Sequence, residues 1–242
     1  MKRPAIMMLL ALLSVACASP LTGAEEKKFD ELPAELRMVL DKLDEANEDL
    51  EGITADVLYT REIPLLDETE ESDGSLKYMK PGWIHMNLGE PREEEICSNG
   101  NKWWLIAHRD QQVEIYEAAD REDEVAEASF LTFGFGRSSR ELIEDYTVEL
   151  EDSDEVKDDN GETYRRWKVK FEPRNEEREA RFATIQVILS DRRWLPKKIV
   201  LHESEGEIIH GFELTGVDLN PGLAEEDFDV SIPDGYSVIR PQ

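Results

Sequence analysis

The side chains here that most readily bind metals or move protons are four histidines, two cysteines and 56 carboxylates. His202 and His210 flank Glu205-Gly206, so a hairpin turning there could bring two imidazoles together. With a carboxylate they could hold zinc. No other set has ligand spacing, and the expectation is no metal and no cofactor. The sequence has no phosphate-binding glycine loop, no G-x-S-x-G elbow and no H-E-x-x-H pair. Carboxylate pairs carry no information when acidic residues are this abundant. Cys97 reads as a small residue half-buried at a strand end rather than a nucleophile. The chain is therefore expected not to be an enzyme.

The five tryptophans say more. Trp83, Trp103, Trp104, Trp167 and Trp194 fall in or beside stretches with strand character. Either they pack the core, or some of them line an apolar hollow. The elements that would position them follow from hydrophobic period. Residues 25–50 read as one amphipathic helix, with Pro33 in its first turn and Gly52 as its stop. Leu36, Val39, Leu40, Leu43, Ala46 and Leu50 recur on one face.

After Gly52 the period becomes two. Ile53, Ala55, Val57, Tyr59 and Ile63 alternate with polar residues, and Leu58 is the exception. Ten further strand-like stretches lie near 76–80, 83–88, 93–98, 103–107, 113–116, 146–151, 164–172, 182–190, 197–203 and 208–217. Turn signals at Asp73-Gly74, Asn99-Gly100, Asn160-Gly161 and Glu205-Gly206 separate them. The prediction is an antiparallel meander of about eleven strands in one domain.

Two stretches interrupt the meander. Residues 120–128 read as a short helix, and 138–146 as another, with Ser138 and Glu141 spaced as a capping box. Between them lie Phe130, Leu131, Phe133 and Phe135, with Gly134 and Gly136 interspersed. Burying each large side chain is worth roughly 1.5–3 kcal/mol, so this segment is expected to tuck against the sheet. With the first helix it would cover one face of a curved sheet.

The start of the chain predicts export. Lys2 and Arg3 precede an apolar run from Ala5 to Ala16. That run is shorter than the roughly 20 residues a spanning helix needs and has the length of a secretory signal core. Two readings stay open. Residues 1–24 are removed as a signal peptide, with Thr22-Gly23-Ala24 at the cleavage site and residues 25–242 as the domain. Alternatively, Leu13-Ser14-Val15-Ala16-Cys17 acts as a lipobox, with Cys17 lipidated and membrane-anchored. Loss of residues 1–24 would leave Cys97 alone, with no intrachain disulfide available. The formal charge of −28 repels polyanions, so nucleic acid is excluded as a partner.

Several segments together resemble the outer-membrane lipoprotein carrier family (LolA-type) and its lipoprotein-sorting relatives. One is Asp49-Leu50-Glu51-Gly52-Ile53, and another is Leu76-Lys77-Tyr78-Met79-Lys80-Pro81-Gly82-Trp83-Ile84. A third is Ile96-Cys97-Ser98-Asn99-Gly100-Asn101-Lys102-Trp103-Trp104. Late in the chain come Trp194-Leu195-Pro196, Glu205-Gly206, Asn220-Pro221-Gly222-Leu223 with Phe228, and Ile232-Pro233-Asp234-Gly235-Tyr236-Ser237-Val238-Ile239. In order and spacing they cover roughly residues 35–240.

The resemblance implies a mainly β fold: an unclosed antiparallel barrel whose open side is covered by a lid of short α-helices. It implies a monomeric periplasmic carrier that holds the acyl chains of lipoproteins or lipids in an apolar hollow. Leu36, Leu40, Leu43, Lys80, Trp83, Ile84, Trp104, Leu131, Phe133 and Phe135 are then the expected hollow and lid residues. In that family an arginine before the proline bonds the lid; Lys80 stands there in this chain and lacks the bidentate fork. A donor or acceptor protein of the envelope would be its partner. The alternative is the same fold used without transport, as an envelope sensor, acceptor lipoprotein or scaffold module.

Overall fold

The computed structural model describes residues 28–117, 137–158, 160–174, 182–204 and 206–240. A helical turn at 28–30 is followed by helix α1, Ala34–Glu48. The single helix expected over 25–50 is thus broken at residues 31–33. The break is steric: a residue before proline is pushed out of the helical region. Pro33 itself is extended (φ −54°, ψ 142°) and its carbonyl accepts the first intrahelical bond, from the Arg37 amide. Gly52 does not stop α1; it opens the first strand.

Twelve strands follow among the described residues: β1 Gly52–Ile63, β2 Glu68–Met79, β3 Trp83–Leu88, β4 Glu94–Asn99, β5 Lys102–Ala107, β6 Gln112–Glu117, β7 Tyr146–Lys157, β8 Thr163–Pro173, β9 Phe182–Ser190, β10 Lys198–Glu203, β11 Ile209–Leu219 and β12 Ser237–Ile239. Helix α2, Ser139–Asp145, precedes β7, and its N-terminus carries the expected Ser138/Glu141 capping box. All twelve strands form one sheet in the order β12-β6-β5-β4-β3-β2-β1-β11-β10-β9-β8-β7. The edges β12 and β7 do not meet, so the barrel is unclosed. Every pairing is antiparallel except β12 with β6. β12 is the strand beyond the eleven expected: three exposed residues give no alternation to read.

Asp73-Gly74 is not a turn. It lies inside β2, and the chain reverses between Ile63 and Glu68 instead. Glycine is required at 74 because a Cβ there would sit 2.3 Å from the Asn87 carbonyl oxygen of β3. A bulge between Thr54 and Asp56 of β1 faces Gly216 (φ +56°) of β11 and bends the middle of the sheet.

Alternation gives the sheet two distinct faces. On the inner face Ile53, Ala55, Val57 and Tyr59 of β1 align with Tyr78 and Leu76 of β2, Ile84 and Met86 of β3, and Leu214 and Phe212 of β11. Beyond β11 the same face continues through Ile199 and Leu201, Ile185 and Val187, and Val169 and Phe171. All of these are buried, in one cluster with Leu36, Val39, Leu40 and Leu43 of α1 and Leu142 and Ile143 of α2.

Candidate functional site

Helix α1 meets the sheet through residues at i, i+3, i+4 and i+7, the spacing of one helical face. Leu36, Val39 and Leu40 are wholly buried and Leu43 nearly so. Polar ties surround this apolar contact. At the N-terminal end, Glu35 Oε1 accepts from Trp167 Nε1 (3.0 Å) and Arg165 Nη2 (3.1 Å) of β8. Trp167 is in turn stacked on Trp194, with centroids 4.8 Å apart.

At the other end, the Lys80 ammonium donates to the Asn47 carbonyl in the last turn of α1. A cation there also complements the helix dipole. Asn220 holds the segment leading into β1: its side-chain oxygen accepts from the Glu51 amide (2.7 Å), and its side-chain amide donates to the Asp49 carbonyl (3.0 Å).

The two helices are joined by Asp44. Its Oδ1 accepts from the Ser139 amide (2.8 Å) and hydroxyl (2.9 Å), while Arg140 lies 3.5 Å from Oδ2. Burial pushes the Asp44 carboxyl above the ordinary carboxylate range, against the lowering effect of the Ser139 bonds. Arg140 also covers the Phe29 ring at 4.1 Å. The ties are few, and most involve part-exposed groups worth at most about 1 kcal/mol each. Ser139 is the exception: it is buried and its hydroxyl also lies 3.2 Å from the Leu40 carbonyl, so α1 can leave the sheet without breaking that cluster only if α2 moves with it.

The structure brings together Leu36, Leu40, Leu43 and Ile84 on the inner face, with Lys80 at the rim. Trp83 and Trp104 are not among them. The register pairs Trp83 with Asn99 and Trp104 with Cys97, whereas Ile84 pairs with Ser98 and Ser98 with Trp103. Trp103 therefore faces the helices and Trp104 the opposite, outer side. There Trp104 packs with Ile106, Val113, Ile115, Val230 and Tyr236, and Trp83 lies 5.8 Å from Phe228. A cleft of about 380 Å³ opens between these tryptophans and the C-terminal stretch around Glu225–Phe228.

Leu131, Phe133 and Phe135, with Phe130 and the helix expected over 120–128, lie outside the described residues, as does Cys17. His202 and His210 do not meet. His210 pairs with Leu201 rather than with His202, which places the two imidazoles on opposite faces. His210 bonds the Tyr59 hydroxyl (2.8 Å) on the inner side, and His202 lies 3.3 Å from Gln186. Sequence reasoning missed Glu35, Asp44 and Ser139. The signal available was their position on the polar flank of an otherwise apolar helix contact.

The protein-family model described as "Outer membrane lipoprotein carrier protein LolA" matches residues 63–231. No curated protein matches the sequence. Among solved structures the fold is similar to that of an uncharacterized conserved protein from Thermus thermophilus, with a TM-score of 0.50 and 12% identity over 86% of this chain and 99% of that one. A LolA superfamily protein from Nitrosomonas europaea is similar at TM-score 0.41 and 12% identity, covering 80% of this chain and 97% of that one. Lipoprotein LppX from Mycobacterium tuberculosis gives a TM-score of 0.42 and 8% identity, covering 77% and 96%. At these identities the likeness is one of fold.

Proposed function

The chain belongs to the outer membrane lipoprotein carrier protein (LolA) family, and from that premise we propose that it holds the acyl chains of lipoproteins or lipids between the inner sheet face and its helices. The observation that carries the reading is the seating of α1: a four-residue apolar stripe, buried on a continuous apolar face and ringed by exchangeable polar ties. Uncovering that stripe costs about 6–12 kcal/mol at 1.5–3 kcal/mol per large side chain. A dozen acyl methylenes recover about 10 kcal/mol at roughly 0.8 each. The two quantities are close, so cargo can replace the helix and the helix can replace cargo. A carrier needs that balance to load and to release.

In this reading Lys80 is the latch on α1, and Leu36, Leu40, Leu43 and Ile84 line the chamber. The apolar segment with Leu131, Phe133 and Phe135 completes the cover. Residues 1–24 direct export and residues 25–242 work as one monomeric domain in the periplasm, free when cleavage follows Ala24 and tethered when cleavage instead falls before a lipidated Cys17. No described helix is long and apolar enough to cross a membrane. The test is a titration of the purified protein with a fluorescent acylated peptide and with its unacylated twin. Saturable binding of the first alone supports the reading. Equal behaviour of the two removes it, and a protein-binding sensor or scaffold role then takes its place.

A further inference from the structure

The outer sheet face carries a second group of side chains that acyl binding does not use. The hairpin β3–β4 pairs His85 directly with Cys97, and Glu95 lies two residues before Cys97 on the same face. Cross-strand partners and i, i+2 neighbours on one face are the closest side chains a sheet offers. Imidazole, carboxylate and thiol thereby place one ligand atom each within 4.8 Å of one another. We propose that His85, Glu95 and Cys97 form a binding site for a zinc-class divalent cation.

The donor set fits that ion. Zinc takes imidazole nitrogen and carboxylate oxygen at about 2.0–2.2 Å and thiolate sulfur at about 2.3 Å, in a tetrahedron. Soft sulfur beside nitrogen selects against magnesium and calcium, which take oxygen ligands. His85 Nε2 and Glu95 Oε2 are 3.1 Å apart, close to the spacing of two ligands on one tetrahedral ion. Side-chain rotation has only to close the remaining distance to sulfur. Cys97 is wholly buried at the floor, while about a quarter of the His85 and Glu95 side chains is exposed. The ion therefore enters from the outer face and reaches sulfur last. A fourth position stays open to water or an exogenous donor.

A supporting layer stands behind these three residues. His108 Nε2 contacts the other oxygen of Glu95 at 2.9 Å, and His108 Nδ1 contacts the Tyr236 hydroxyl at 3.0 Å. A hydrogen-bonding group behind a ligating carboxylate, as His108 is here, is the usual second layer of a metal site. Tyr236 lies just before β12, so the chain fixes its C-terminal segment to the site through His108. The His85 and His108 contacts hold the Glu95 carboxyl below the usual range and keep it anionic. Burial pushes the Cys97 thiol up to about 12, so the resting group is a thiol. On binding, sulfur bonds the metal and its proton passes to solvent.

Cobalt(II) tests this directly, because a thiolate ligand gives cobalt a near-ultraviolet charge-transfer band that carboxylates do not. The purified full chain is titrated, with Cys17→Ser wherever residue 17 is retained. One cobalt per chain should bind with that band, and one equivalent of zinc should displace it. His85→Gln should weaken binding at least tenfold, and His108→Ala by about 10–100-fold. Cys97→Ser should abolish the band. If that variant does not fold, the wild-type band and the His85→Gln loss still report sulfur and imidazole ligation. Cobalt that binds without a thiolate band marks the acidic surface only and overturns the proposal. So does the absence of binding at micromolar metal, or a His85→Gln variant that binds like the wild type.

Discussion

Lys80 donates to the Asn47 carbonyl through one ammonium, a tie that leucine cannot make. Lys80→Leu should cost about 1 kcal/mol, keep the far-ultraviolet dichroism of the fold, and speed release of an acylated peptide in stopped-flow displacement. Unchanged release would remove Lys80 from the latch. Asp44 carries a prediction with a definite sign. Its folded pKa is raised by burial, so its contribution to stability is fully present below the unfolded value, near 3.9. That contribution is lost as pH rises through the raised folded value. The urea midpoint of the wild type, taken relative to Asp44→Asn, should therefore fall as pH climbs across that window. A difference that stays flat or rises contradicts the account of Asp44. Cys97, with its thiol pushed up to about 12, should resist aromatic disulfide reagents in metal-free native protein and react only on unfolding. Single residues were legible only in part. Lys80 stood out only through the family resemblance around Pro81, and Cys97, expected half-buried at a strand end, is wholly buried within β4. The partnership of Cys97 with His85 needed a register, which pairs each strand position with one across the turn. Trp103 and Trp104 show the same difficulty: a one-residue step in that register exchanges the faces of both.

Helix α1 is the element on which function depends, and its apolar stripe was plain in the sequence because four buried residues repeat at helical spacing. Its start was not, since Pro33 suits a first turn as well as the extended position just before one. The strands Trp83–Leu88 and Phe182–Ser190 fall where alternation put them. The first half of β2 does not, because Glu68, Thr69, Glu70 and Glu71 are exposed and polar and offer no apolar period. If α1 is the movable cover, its amides should exchange hydrogen faster than those of β1 and β9 in free protein. They should slow or quicken when acylated peptide is added, while the central strands stay as they were. Uniform protection of α1 and the strands, unaltered by ligand, would make the helix permanent core.

At the scale of the whole molecule, one wide open sheet has an apolar inner face and a mostly polar outer face with one apolar patch, and the two are covered differently. Helices cover the inner face, and the C-terminal stretch around Phe228, Val230 and Tyr236 covers part of the outer one. The open antiparallel architecture was legible from the run of alternating segments and turn residues. The division of labour between its faces was not, because it depends on long-range pairings such as β1 with β11. The formal charge of −28 repels anionic headgroups, so cargo should be held by its acyl chains rather than by phosphate. Raising ionic strength should therefore leave the affinity for a neutral acylated peptide within about twofold. The most direct test of the central claim is photo-crosslinking with a peptide that carries a diazirine on its acyl chain, followed by mass spectrometry of the labelled residues. The account predicts labels on Leu36, Leu40, Leu43 and Ile84, and competition by unlabelled acylated peptide. Labels confined to the Trp83 and Trp104 side of the sheet, or none above the level of a free diazirine, would contradict it.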